Sequence, residues 1–311
     1  MNRHSSGASG RLRVRDLPLM LKQTFQKWNE HDPFRQGAVI AYYAIFSLPA
    51  LLVIIIAVAG FVFGREAVTG QLSTQIGQLM GQDTAKQIQD MIASASISKR
   101  SIWATILALV TLLLGATGVF AQLQKSLNFI WEVKAEPKKQ WLGYLQSRLL
   151  SFGMVLSLGF LLIISLVITT LIALVGDWLK AHLPEIALIL LQFLNFIFSF
   201  GVITVFFAVM FKFLPDAKIR WKDVWLGAII TSLLFSIGRF ALGFYFGKVN
   251  PGSTYGAAGS VILIMLWVFY SCMIFFFGAE FTRQYAEYRG KTVQPSEHAV
   301  KDEEAHIKIK K

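Results

Sequence analysis

The sequence predicts an all-α integral membrane protein: a polytopic bundle of six transmembrane helices with the N- and C-termini cytoplasmic. Three observations predict it. The 311 residues are 55% apolar and 15% charged, with a mean hydropathy of +0.55, whereas soluble domains carry about 25% charged residues. The charges gather at the chain ends and in connectors. The apolar stretches between them reach about 20 residues or more, the length a helix needs to cross a hydrocarbon core of about 30 Å. Lys and Arg, finally, are distributed unevenly between alternate connectors.

In chain order, residues 1–15 are rich in Ser, Gly and Arg and read as a disordered basic arm. Asp16 is placed to cap a short helix with Pro18 in its first turn. Leu17, Leu21, Phe25 and Trp28 recur at helical spacing. Residues 16–30 therefore read as an amphipathic helix on the inner leaflet, with packing against the protein's own cytoplasmic loops as the competing reading. Asp32-Pro33 looks like a second capped helix start.

Six apolar segments follow, at 38–63, 101–122, 150–176, 186–211, 223–247 and 255–281. A β-barrel is disfavoured, since barrel strands span about 10 residues and alternate in polarity. The connector 65–100 is the long outer one. Leu72, Ile76 and Leu79 form one apolar stripe and Ile88, Met91 and Ile92 another, separated by Gly81-Gln82-Asp83 with Asp83 as a cap. Two short helices over the outer mouth fit this pattern. Asn250-Pro251-Gly252-Ser253 reads as a tight turn between the last two spans, and 289–311 as a disordered charged tail. Residues 16–288 thus form one membrane domain.

With the N-terminus inside, 23 of the 30 Lys and Arg residues fall on the cytoplasmic side and 6 outside, leaving Arg239 within a span. That asymmetry sets the orientation. It also accounts for the net charge of +12 without nucleic acid as a partner. The single cysteine, Cys272, excludes an intrachain disulfide. The first 30 residues hold six basic residues and no apolar core, which argues against a cleaved signal peptide.

Several stretches resemble one family. They are Tyr42-Tyr43-Ala44-Ile45-Phe46-Ser47-Leu48-Pro49; Gly118-Val119-Phe120 with Leu127-Asn128-Phe129-Ile130-Trp131; and Phe213-Leu214-Pro215-Asp216 with Trp221-Lys222-Asp223-Val224 and Gly227-Ala228. Tyr255-Gly256-Ala257-Ala258-Gly259-Ser260, Leu266-Trp267 and Gly278-Ala279-Glu280-Phe281 complete the set. In this order and spacing, over residues 20–288, they resemble the YihY/BrkB membrane proteins. The resemblance implies a six-helix bacterial inner-membrane protein. Members have been described as virulence or serum-resistance factors, and some carry a tRNA-processing ribonuclease label. A link to envelope-lipid or lipopolysaccharide movement has also been suggested within the family.

The residues themselves argue against the ribonuclease. Metal-dependent phosphodiester cleavage needs carboxylates and histidines converging on ions, and metal-free cleavage a positioned acid and base. His4, His298 and His306 lie in terminal segments and His182 in an outer loop; His31 is the fifth histidine. His298, His306, Glu303 and Glu304 read as a solvated tail more readily than as a metal site. No G-x-x-x-x-G-K-[ST] occurs. No catalytic residue, metal or cofactor is expected.

The candidate pathway residues are Arg239, Gln192, Asn195, Ser199, Tyr42, Tyr43, Ser47, Pro49 and Glu280. A charge at membrane depth costs at least about 2–3 kcal/mol on insertion scales and often marks a pathway. Arg239 could instead snorkel to the outer headgroups. Gln192, Asn195 and Ser199 share one helical face. Pro49 is expected to kink the first span beside Tyr42, Tyr43 and Ser47, where an aromatic belt with a packing kink competes with a polar gate. Glu280 reads as a helix-end charge. Gly243-x-x-x-Gly247, Gly153-x-x-x-Ser157 and Gly256-x-x-x-Ser260 permit close helix approach.

The first expectation is a transporter or envelope-lipid-handling protein working through an intramembrane cavity, with membrane lipids or lipopolysaccharide precursors as partners. The alternative is a non-transporting structural or assembly factor of the envelope; homo-oligomerisation is left open. A groove or cavity containing Arg239 would favour the first, and Arg239 facing headgroups the second.

Overall fold

The computed structural model describes residues 16–80, 85, 86, 89, 118–136, 185–249, 259–290, 293–297 and 299–302. The expected span 150–176, most of 101–122, the Asp83 cap, the stripe Ile88, Met91 and Ile92, the turn at 250–253 and the motifs Gly153-x-x-x-Ser157 and Gly256-x-x-x-Ser260 lie outside or partly outside these residues. In chain order the elements are α1 (Leu17–Glu30), α2 (Pro33–Phe63), α3 (Arg65–Met80), α4 (118–130), β1 (Val133–Ala135), α5 (Glu185–Phe213), β2 (Ala217–Lys218), α6 (Trp221–Val249), α7 (Gly259–Tyr288), β3 (Gln294–Pro295) and β4 (Ala299–Lys301).

Among the described residues, three helices are long and apolar enough to cross a membrane, over Phe196–Phe213, Trp221–Phe246 and Val261–Tyr288. They fall on the expected segments 186–211, 223–247 and 255–281. α2 covers the segment 38–63 and runs unbroken through Pro49. α3 supplies the first of the two helices expected in the outer connector.

Two helices run beyond their apolar segments for a common reason. α4 continues past 122 to 130 because Leu123, Leu127 and Ile130, at helical spacing, are buried. Gln124, Lys125 and Asn128 on its other faces hide this stripe from a hydropathy window. α7 continues past 281 to Tyr288, with Thr282, Arg283 and Ala286 buried.

α7 lies at the centre and packs against α1, α2 and α6. Phe207 and Phe211 of α5 meet Phe275 of α7 with ring centroids 6.1 and 5.1 Å apart. Ile40, Leu127, Ala228 and Ala279 are among the buried residues of the same core. α6 and α7 approach closely where Gly227 faces Thr282 and Gly278 faces Thr231. A Cβ on either glycine would stand 2.8 Å from the opposing Thr Cβ, so only glycine fits. Each threonine turns its hydroxyl back onto its own helix: Thr231 donates to Gly227 O and Thr282 to Gly278 O, both at 2.7 Å. The hydroxyls are satisfied within each helix, and the threonine Oγ1 and Cβ are the atoms nearest each glycine.

Both expected caps are corrected. Asp16 makes no capping bond; its carboxylate accepts from Tyr288 Oη at 2.7 Å instead. Asp32 adopts a left-handed backbone, with φ 48°. An N-cap needs an extended one, so the Asp32 side chain turns out to Arg35, 2.9 Å away. The tail also departs from expectation, because residues 294–295 and 299–301 are strands. β3 pairs antiparallel with β2 and β4 with β1. Mixed charge gives no pattern signal, but the two connector strands offer unpaired backbone groups that the tail satisfies.

α1 packs against the bundle along one side only. Met20 and Thr24 are buried, and Trp28 Nε1 donates to Met273 O of α7 at 3.2 Å. Leu21 and Phe25, at the other edge of the same apolar sector, are exposed.

Candidate functional site

One end of the bundle gathers α1, the α1–α2 joint, α4 with β1, the α5–α6 corner, the last turns of α7 and the tail. Here His31, turned inward at the joint, places Nδ1 3.0 Å from Glu280 Oε2 of α7. The two side chains are 2% and 0% exposed. Gln284 Nε2 donates to the second Glu280 oxygen at 3.1 Å, and Gln36 Nε2 to His31 O at 2.6 Å. The His31 ring meets Phe129 of α4 edge-on, with centroids 4.9 Å apart.

One turn further along α7, Arg283 spreads its guanidinium over three acceptors. These are Glu132 at 2.6 Å, Glu287 at 2.8 Å and Ile130 O at 2.5 Å. Glu132 has positive φ, at 51°, and its carbonyl accepts from Asp302 N at 2.9 Å. Asp216 in the α5–α6 corner exchanges two bonds with Asn128 of α4: Asn128 Nδ2 donates to its carboxylate at 2.7 Å, and its own N–H donates to Asn128 Oδ1 at 2.8 Å. Gln124 Nε2 donates to the same carboxylate at 3.2 Å. Asp223, buried at the start of α6, is paired with Arg289 at 3.3 Å. The chemistry of this end is closure, since each of these carboxylates has a donor and, apart from Gln284–Glu280 and Arg283–Glu287 within α7, the contacts join separate elements.

The second feature is the outer wall of α6. Trp221, Trp225, Ile229, Leu233, Ile237, Phe240 and Phe244 are all exposed, Phe240 at 82%. They recur at three- and four-residue spacing and form one continuous apolar stripe. Arg239 is exposed beside it. On the inner side of the same turn, a Cβ on Gly238 would collide with Tyr270 of α7.

Among the described side chains, the candidate pathway residues do not converge on one interior place. Arg239 lies on the outer wall of α6 and Glu280 within the closed end. Tyr42 points outward, 56% exposed, and its ring stacks edge-on against Phe46 at 5.2 Å. Tyr43 lies against Gly118, where a Cβ would come within 2.7 Å of its ring. Ser47 is buried and donates to Ala44 O at 3.2 Å. Ser199 is half-buried on α5. The side chains of Gln192, Asn195 and Pro49 lie outside the described set.

Sequence reasoning missed His31, Glu132, Asp216, Asn128 and Arg283. A signal existed for some of them. Asn128, Asp216 and Glu280 are the polar members of otherwise apolar stretches, Leu127–Trp131, Phe213–Asp216 and Gly278–Phe281. Their partners are distant in sequence, so the pairing itself was not readable.

The family model for virulence factor BrkB matches residues 24–303. A UPF0761 membrane protein of Tolumonas auensis is 24% identical over 272 residues, covering 84% of this chain and 83% of the relative. UPF0761 membrane proteins of Verminephrobacter eiseniae and Teredinibacter turnerae are 25% and 23% identical, covering 84% and 89% of this chain. The chain spans only 61% and 62% of those two relatives' own lengths. No solved structure matches. With the family's model covering nearly the whole chain and apolar spanning helices in the fold, this protein belongs to the BrkB virulence-factor family of membrane proteins.

Proposed function

We propose that this protein is a non-enzymatic, lipid-handling protein of the bacterial inner membrane, with cytoplasmic termini, that engages phosphate-bearing envelope lipids along the outer wall of α6. The observation that carries this reading is Arg239, an exposed guanidinium beside the exposed apolar stripe of a spanning helix. It stands about 27 Å beyond Trp221 and about 15 Å short of Val249. A bilayer-facing arginine at that depth draws in a counter-charge, and a lipid phosphate matches its planar fork of donors. The stripe accepts acyl chains while the guanidinium holds the headgroup below its usual level, so the barrier to leaflet exchange falls. On this reading the work is done on the wall of the bundle instead of in an internal cavity.

The outward position of Arg239 also favours a second reading, a structural or assembly factor of the envelope in which the arginine merely reaches headgroups. Leaflet exchange separates the two. Proteoliposomes with labelled phospholipid or lipid A precursors should scramble label faster than empty vesicles. Rates equal to those of empty vesicles would leave the assembly reading.

A further inference from the structure

The geometry points to a second lipid site, independent of Arg239: the α5–α6 corner is a preorganised binding surface for anionic phospholipid headgroups. Phe213, Trp221 and Trp225 are exposed there at 56%, 45% and 42%. Arg220 and Lys222 flank Trp221 in sequence and are exposed. Neither has an ion-pair partner among the described residues. The acidic groups of the same corner are withdrawn, Asp216 into the amides of Asn128 and Gln124 and Asp223 onto Arg289. The surface is therefore cationic and aromatic, with Asp216 and Asp223 committed inward and the tail's exposed Glu297 set against Lys218 at 4.0 Å.

Three ties hold the corner in shape. Lys212 Nζ donates to Ile219 O and lies 5.7 Å from the Trp221 ring centroid. Phe213 packs edge-on against Trp221 at 5.9 Å. β2 within the corner pairs with β3 of the tail. Such a surface is fixed before a ligand arrives, which lowers the ordering cost of binding.

Two features of the corner fit a bilayer lipid as the occupant. Trp221 and Trp225 open the apolar stripe of α6 that continues to Phe244, so a headgroup at the corner has acyl chains running along the same wall. Indole rings also favour the headgroup level of a bilayer. Charge selects anionic over zwitterionic lipid, each cation near such a surface contributing about fivefold. The α1–α2 joint offers weaker selection, because its cations Lys27 and Arg35 are paired with Glu30 and Asp32.

The test uses the full chain in nanodiscs containing either dibrominated phosphatidylglycerol or dibrominated phosphatidylcholine at equal mole fraction. Subtracting the emission of W221F/W225F isolates these two of the 8 tryptophans. Their quenching should be several-fold stronger with the brominated anionic lipid. That preference should vanish in R220Q/K222Q and persist in R239L, which separates this site from the wall site proposed above. Equal quenching by the two lipids, a preference unchanged in R220Q/K222Q, or no quenching by either would each overturn the assignment, the last pointing to a soluble or protein partner.

Discussion

His31 Nδ1 stands 3.0 Å from Glu280 Oε2, joining positions 249 residues apart through two almost fully buried side chains. Removing one member of a buried pair costs about 3–5 kcal/mol, whereas replacing both with apolar groups is often neutral. H31L and E280L should each lower the thermal midpoint in detergent sharply. The double substitution should melt above either single. Strictly additive losses would show that the two side chains are not coupled.

The reciprocal Gly–Thr contacts between α6 and α7 leave no room for a methyl group at Gly227. G227A should destabilise the protein by about 1–3 kcal/mol through overpacking. T282A, which removes the opposing hydroxyl and methyl but keeps the Cβ 2.8 Å away, should restore part of the loss. Chemical unfolding of the single and paired variants would measure this, and an unrescued G227A would place the strain elsewhere.

The tail pairs with two connectors at once, through β2–β3 and β1–β4. Deleting residues 291–311 would expose the backbone of both connector strands. Tryptic cleavage at Lys218 and Lys134 should then accelerate severalfold in detergent-solubilised protein while the spanning helices persist by circular dichroism. Identical digestion kinetics would mean the pairing is not maintained in solution.

Arg239 divides the two functional readings. R239L should abolish accelerated leaflet exchange while membrane insertion is unchanged, and R239K should retain part of the rate, since an ammonium keeps the charge but loses the bidentate fork. Undiminished exchange by R239L would remove Arg239 from the mechanism.

Class, family and the described spans were legible because burial in hydrocarbon is written locally, as runs of apolar residues long enough to cross it. The motif stretches similarly marked where Asn128, Asp216 and Glu280 would lie. What local pattern could not convey was partnership. Asp16 and Asp32 have the composition of caps, yet one carboxylate is taken by Tyr288 and the other is turned away by a left-handed backbone. The tail has the composition of disorder, yet backbone pairing with β1 and β2 orders residues that side-chain pattern would leave free. Arg239 could be located within a span, but only packing decided that Gly238 faces α7 and Arg239 faces out. Hydrophobic partitioning is a property of each segment and can be read segment by segment. Pairing of buried charges, close helix contact and the facing of a helix are properties of two elements together, so the tertiary structure alone decides them.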